Sequence, residues 1–174
     1  MIGAPLGYGA GQKGSELGTE AMRLATLRGR RLIDMIGDLG YDAEDRGNAD
    51  IVRPAEVEPA DANPKYLRES LISCENLAEA VFDALADDCV PVILGGDHSI
   101  AIGSVSGISR YFRERDEAFG LIWFDAHADI NTPDSSPSGN IHGMPLATLL
   151  GYGNEQLVGL GGFSPKLDPK YFAH

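Results

Sequence analysis

Cysteine is scarce in this chain of 174 residues. Cys74 and Cys89 are the only two, and they do not form a Cys-x-x-Cys pair, the spacing of many redox and zinc-binding motifs. Each lies in an apolar stretch. We interpret both as free thiols without a catalytic role, which fits a reducing compartment.

Long apolar runs are also absent, and so is the basic start followed by an apolar stretch that marks a secretory signal peptide. We therefore expect a cytoplasmic protein. Lysine is rare, with four among the fourteen basic residues, and the formal net charge is −12. Such a charge argues against nucleic acid or an anionic membrane as partner, and mildly favours a cationic small substrate.

Short apolar runs alternate with longer helix-like stretches along the chain. Strands are predicted for residues 1–6, 89–94 and 120–124, and helices from Asn63-Pro64 to about residue 85 and over residues 100–112. This alternation predicts βαβ units in a single domain over residues 1–174, a three-layer α/β/α fold whose mostly parallel sheet is covered on both faces.

Other segments carry weaker signals. We expect a helix over residues 19–39 that Gly29 interrupts, a weak strand at 41–45, a loop at 46–62, and a short helix at 144–150 after a polar loop at 131–143.

The sequence Asp-Ala-His-Ala-Asp at residues 125–129 is the most informative part of the chain. If these residues are extended, Asp125, His127 and Asp129 project from the same face. Two carboxylates and an imidazole make a poor apolar core but a good divalent-metal site. They follow an apolar strand, and open α/β sheets bind ligands at the carboxyl ends of their strands.

His98 follows the preceding strand, in the sequence Gly-Gly-Asp-His-Ser at residues 95–99. A histidine by itself is more often structural, but parallel neighbouring strands would bring His98 to the same edge as the acidic cluster. Two carboxylates and two imidazoles without a thiolate favour Mn²⁺ or a similar ion over structural zinc. Asp125, in the middle of the set, is the natural bridge between two ions.

The polar loop offers further candidates. His142 can carry protons between bulk water and the metal site, or it is an ordinary exposed histidine. The side chains of Asn131, Ser136, Ser138 and Asn140 can bind the polar end of a substrate, or they form turns with their own backbone. The residues alone leave both alternatives open.

Three segments of the chain resemble the signature segments of the ureohydrolase family. They are the Gly-Gly-Asp-His-Ser sequence at 95–99, Asp-Ala-His-Ala-Asp-Ile-Asn at 125–131 and Ser-Gly-Asn-Ile-His-Gly at 138–143. The third is similar to that of arginases in particular. The resemblance runs through nearly the whole chain and implies an arginase-like α/β fold.

The resemblance implies a dinuclear manganese site. His98, Asp125 and Asp129 match ligands of one manganese, Asp125 and His127 match ligands of the other, and Asp125 bridges the two.

The resemblance also implies hydrolysis of L-arginine to L-ornithine and urea, and an oligomeric full-length protein. His142 matches a proton-shuttling histidine. Asn131, Ser136 and Ser138 match residues that hold the α-carboxylate of arginine, with Asn140 close by. Agmatine lacks this carboxylate, and agmatinase-like members lack the Ser-Gly-Asn pattern.

The chain departs from the family by ending at His174. It lacks a later segment with two further metal-ligating aspartates and a glutamate that holds the guanidinium group. We therefore expect a truncated domain whose C-terminal part is missing, weak or no activity, and at most one well-held ion. The alternatives are an inactive metal-binding or regulatory fragment, and another ureohydrolase such as agmatinase.

Overall fold

The computed structural model describes residues 1–11, 13–55 and 62–174. Short 3₁₀ turns connect several of its elements. In chain order, the helices and strands are β1 (Ile2–Ala4), α1 (Gly18–Leu24), β2 (Thr26–Leu27), β3 (Arg30–Arg31), α2 (Leu32–Asp38), α3 (Leu67–Ala86), β4 (Ile93–Gly95), α4 (Ile100–Arg113), β5 (Leu121–Ile122), α5 (Pro145–Leu149), α6 (Glu155–Val158) and β6 (Phe172–Ala173).

The strands form three pairs. β1 and β4 are parallel, with Ile2 opposite Ile93, and β5 and β6 are parallel, with Leu121 opposite Phe172. β2 and β3 form a small antiparallel hairpin. Across residues 1–11, 13–55 and 62–174, β4 is not hydrogen-bonded to β5, so these two strands are not the adjacent pair that the sequence suggested.

The helices α3 and α4 pack tightly because glycines remove the side chains between them. In α4, a Cβ at Gly103 would lie 2.6 Å from the carbonyl oxygen of Cys74, and one at Gly107 would lie 2.4 Å from that of Ala78. Cys74 and Ala78 are four residues apart in α3 and therefore share one face of it. Both long helices agree with the apolar spacing in the sequence.

Two apolar clusters hold the strand pairs. Beside β1, the side chains of α3 at Leu77 and Val81 pack against Ile2 and Ala4. Beside β5, Trp123 packs in a second cluster with Leu167 and with residues of α4 and α5: Ala101, Val105, Leu146 and Leu149. The helix α4 and the turn before it thus join the two strand pairs.

The strand near Trp123 is buried on one face only, which corrects the prediction of a fully buried strand. Trp123 is 5% exposed, whereas Ile122 and Phe124 are 80% and 101% exposed. Successive side chains of an extended segment point to opposite faces. Among the described residues, nothing covers the face of Ile122 and Phe124.

A hairpin replaces the middle of the helix predicted over residues 19–39. Arg28 and Gly29 both have positive φ angles, 54° and 77°, which suit a tight two-residue turn between β2 and β3. The apolar side chains that suggested one continuous helix face are partly exposed instead, including Leu24 at 74% and Leu27 at 63%. The turn at Gly29 therefore interrupts the chain where the apolar periodicity alone predicted a continuous helix.

Two further expectations were wrong. Residues 41–45 form no strand. Asn63-Pro64 does not start α3, which begins at Leu67, because the Asn63 side chain donates to the carbonyl oxygen of Pro133 instead of capping the helix. The predicted loop at 46–62 is irregular where it is described, apart from a bridge between Asn48 and Gly3, and its residues 56–61 lie outside the described part.

Within the described ranges, no helix is long and apolar enough to cross a membrane.

Lys166 is a buried cation in the connection between α6 and β6, with 4% of its surface exposed. Its ammonium group donates to the carbonyl oxygen of Val158 at 2.8 Å and to that of Phe163. Burial lowers the pKa of Lys166 to about 8 because the charged form loses its hydration.

Replacing Gly107 by alanine should destabilise the protein. The new Cβ meets the backbone of α3, which cannot move aside without separating the helices, so we expect a loss of about 1–3 kcal/mol in the free energy of unfolding. Gly37→Ala in α2 is the matched control, because no atom of the described residues lies within 4 Å of the position that a Cβ would take there, and alanine favours helix by up to about 1 kcal/mol. Urea denaturation measures both, and equal stability of the two variants would contradict the close packing.

Lys166 should make stability depend on pH in the alkaline range. An unfolded lysine has a pKa of about 10.4, so between pH 8 and that value the unfolded chain binds more protons than the folded one. The cost of burying the charge is therefore complete below pH 8 and relieved as the pH rises. We expect the stability of the wild type relative to Lys166→Met to increase from pH 8 to 10, measured by denaturation; a constant difference would count against the buried cation.

Candidate metal centre

The turn after β4 brings His98 to the site by passing very close to the chain after β1. A Cβ at Gly96 would lie 2.0 Å from the carbonyl oxygen of Leu6, and the amide of Asp97 donates to the same oxygen at 2.7 Å. Only glycine allows this approach. The Gly-Gly pair before His98 therefore has a steric reason.

Asp97 is a buried residue of this turn that the sequence analysis did not single out. One carboxylate oxygen accepts from the amide of Ser99 at 2.9 Å and the other from the amide of Ala10 at 3.0 Å. Burial raises the pKa of the Asp97 carboxyl above its usual range, against the lowering effect of its hydrogen bonds. The contact with Ala10 spans 87 residues, so no local pattern could have revealed it.

Residues 125–129 lie beyond the end of β5 and do not have the extended conformation that the sequence suggested. The chain bends at 125–127, where the amide of His127 donates to Asp125 Oδ1 at 2.8 Å, and Asp129 has a φ angle of 48°. An aspartate that accepts a hydrogen bond from the amide two residues on commonly turns a chain in this way. The same bond holds the pKa of Asp125 below its usual range.

His98, Asp125 and Asp129 come together in spite of this bend. His98 Nδ1 lies 2.6 Å from Asp129 Oδ2 and 3.0 Å from Asp125 Oδ2. One ligand atom from each of the three residues lies within 4.8 Å of the others. Trp123 stacks on the His98 ring, with centroids 4.5 Å apart, and covers one face of that ring.

His127 lies at the rim of this group and not inside it. Its side chain is 83% exposed, and its Nδ1 is 3.5 Å from Asp125 Oδ1. The structure therefore brings three of the four predicted ligands into one compact set and places the fourth against Asp125 alone.

The remaining predicted residues line the same cleft as the metal-ligand candidates. This cleft has a volume of about 460 Å³. Its lining includes all nine residues selected from the sequence: His98, Asp125, His127, Asp129, Asn131, Ser136, Ser138, Asn140 and His142.

Several side chains of the polar loop also bind the loop's own backbone. The hydroxyl oxygen of Ser136 accepts from the amide of Gly139, and that of Ser138 from the amide of Asn140. The side-chain oxygen of Asn131 accepts from the hydroxyl of Ser135. Because a hydroxyl that accepts still has a proton to donate, these turns leave Ser136 and Ser138 able to bind an anion in the cleft.

Asn140 differs from its neighbours because its side chain points away from the loop. Its amide nitrogen donates to the carbonyl oxygen of Ala10 at 3.1 Å.

His174 makes a contact with the metal-ligand segment that no sequence motif indicated. Its Nε2 atom lies 3.1 Å from the carbonyl oxygen of Asp125, and the two residues are 49 positions apart.

The donor set fits a divalent cation. Two carboxylates and an imidazole supply two negative charges, and the 3.0 Å between His98 Nδ1 and Asp125 Oδ2 resembles the separation of neighbouring ligands around an ion with bonds of about 2.1 Å. Without a cation, the two neighbouring carboxylates repel each other. Oxygen and imidazole ligands without thiolate suit Mg²⁺, Mn²⁺ or a similar ion better than a structural zinc.

The chain is similar to known proteins along nearly its whole length. The profile of the Arginase family matches residues 1–171. The arginase of Bacillus subtilis (strain 168) is 42% identical over 170 residues, which are 98% of this chain and 54% of that protein. The native structure of the Bacillus caldovelox arginase at pH 5.6 matches with a TM-score of 0.87 and 41% identity, over 98% of this chain and 55% of that one.

A more distant relative has the same fold. The structure of the Entamoeba histolytica arginase in complex with L-ornithine matches with a TM-score of 0.77 and 29% identity, over 98% of this chain and 55% of that one. These matches confirm the predicted arginase-like α/β fold. The chain spans about half the length of the curated relatives it matches. With the family profile covering nearly all of it, the chain belongs to the arginase family.

Proposed function

We propose that this chain contributes His98, Asp125 and Asp129 to a manganese centre for the hydrolysis of L-arginine to L-ornithine and urea. The observation that carries the proposal is the compact His98–Asp125–Asp129 group at one side of a cleft whose other side is the polar loop. His127, which lies 3.5 Å from Asp125, would join Asp125 at a second, weaker position. The similarity to arginases over the whole chain supports the same activity.

A bound divalent metal lowers the pKa of water and stabilises negative charge that develops on the substrate. The protein residues supply the rest. The side chains of Asp125 and Asp129 would hold the cation, and the hydrogen bond from the amide of His127 lowers the pKa of the Asp125 carboxyl. His142, in the same cleft, can take up a proton from solvent and give it to the leaving amine.

The polar loop is proposed to select the substrate by its α-carboxylate. The hydroxyls of Ser136 and Ser138 and the side chain of Asn131 line the cleft and can donate to an anion. The arginase from Entamoeba histolytica, whose structure contains L-ornithine, is a relative that binds an amino acid of this kind. Asn140, whose side-chain amide donates to Ala10, would support the loop rather than contact the substrate.

A second candidate is binding of one divalent ion without turnover. The 83% exposure of the His127 side chain favours this alternative. That the full-length protein forms an oligomer remains a prediction.

Mn²⁺ should quench the fluorescence of Trp123, the only tryptophan, because a paramagnetic ion at His98 would lie beside the stacked indole. Even ligand-supporting residues change metal affinity by about 10–100-fold, so His98→Asn should raise the quenching midpoint at least that much. The matched variant His127→Asn should raise it less, because His127 lies outside the compact group. Equal effects of the two substitutions would contradict this division.

Urea release in the presence of Mn²⁺ tests the reaction. We expect L-arginine to be hydrolysed in preference to agmatine, and His142→Gln to lower kcat by about 10²–10⁴-fold, the usual contribution of a general acid or base, with the Trp123 quenching midpoint unchanged. Preference for agmatine would assign another ureohydrolase activity. Metal binding without urea release would favour the second candidate.

A further inference from the structure

The carboxylate of Asp97 joins two segments that lie far apart in sequence. It accepts one hydrogen bond from Ser99 within its own turn and one from Ala10, in the turn that follows β1. The residue is 7% exposed, so neither bond is readily replaced by water. Because Asp97 and Ser99 are both fixed, the backbone of His98 between them is held from both sides.

Gly9 shows how closely the two segments fit. A Cβ at Gly9 would lie 2.1 Å from the hydroxyl oxygen of Ser99 and 2.9 Å from Asp97 Oδ1. The backbone of residues 8–10 therefore lies directly on the buried carboxylate. A shift of this backbone would therefore displace the turn that carries His98.

The contacts continue from Ala10 to the polar loop. The carbonyl oxygen of Ala10 accepts from the Asn140 side chain, and the carbonyl oxygen of Asn140 accepts from the amide of Gly143 at 3.4 Å. The carbonyl oxygen of Gly143 in turn accepts from the amide of Asn131 at 3.0 Å. His142 lies inside this series of bonds, between Asn140 and Gly143.

We propose that Asp97 is a positioning residue that, through Ala10 and Asn140, fixes the His98 turn relative to the segment carrying His142. Asp97 does not touch the substrate or the ion. It acts by setting the distance between a metal ligand and the proposed proton carrier. This role rests on the proposed function, but the contacts that produce it belong to the metal-free protein.

The substitution Asp97→Asn tests the role with almost no change in volume. An asparagine offers one acceptor oxygen, so either the amide of Ala10 or that of Ser99 must lose its partner. Asp168→Asn is the matched control. Asp168 also accepts from the amide two residues on, that of Lys170 at 2.9 Å, but it lies outside the cleft.

Metal-free protein gives the first measurement. The chain has four histidines, so the ring resonances of His98 and His142 can be assigned by NMR. Asp97→Asn should shift the resonances of both and speed hydrogen exchange at the Ala10 amide, whereas Asp168→Asn should leave both resonances in place. If Asp97→Asn does not fold, Asn140→Ala breaks the same connection at its half-buried end. It should shift the His142 resonances and, because the Ala10 carbonyl oxygen loses its donor, those of His98 as well.

Mn²⁺ titration gives the second measurement. Loss of an outer support typically weakens metal binding by about 10–100-fold, and we expect Asp97→Asn to raise the midpoint of Trp123 quenching by about 10-fold. The proposal is overturned if the His142 resonances stay unchanged in Asp97→Asn, or in Asn140→Ala where the first variant does not fold. An unchanged Mn²⁺ midpoint in Asp97→Asn also overturns it. Failure of the wild type to bind Mn²⁺ would instead refute the proposed function, while the metal-free resonances still test the coupling.

Discussion

The absence of a side chain at Gly96 is the constraint on which the site depends. The carbonyl oxygen of Leu6 occupies the space that a Cβ would need, and the same oxygen accepts from the amide of Asp97. This contact fixes the position of the turn that follows β4 relative to the segment that follows β1. His98 then reaches Asp125 and Asp129 although β4 and β5 are not paired within the described residues. The site thus depends on backbone packing at the strand end rather than on adjacent strands.

The site itself concentrates negative charge in a protein that is already acidic. Asp125 and Asp129 share the Nδ1 atom of one histidine, and Trp123 covers one face of that histidine. A cation relieves the repulsion between the two carboxylates, which gives the group a physical reason to bind one. In the proposed dinuclear centre, the exposed position of His127 would make the second ion the weaker of the two.

The sequence predicted well those features that depend on local patterns. The helix expected at residues 100–112 extends over Ile100–Arg113, and α3 has the predicted apolar spacing. The selected site residues all line one cleft, although the strand before Asp125 is buried on one face only. Features that depend on distant contacts were missed: Asn63 bonds to Pro133 rather than capping α3, and Asp97 bonds to Ala10. The hairpin at Arg28 and Gly29 was missed because apolar spacing suggested a helix on both sides of it.

The turn of that hairpin is also a suitable position for attaching a label. Its turn is exposed, and within the described part of the chain nothing lies within 4 Å of the position that a Cβ on Gly29 would take. Neither Arg28 nor Gly29 lines the cleft of the metal centre. Exposed loop tips of this kind tolerate insertions better than buried or hydrogen-bonded segments. An affinity tag or a fluorophore attached there would mark the protein without entering the cleft.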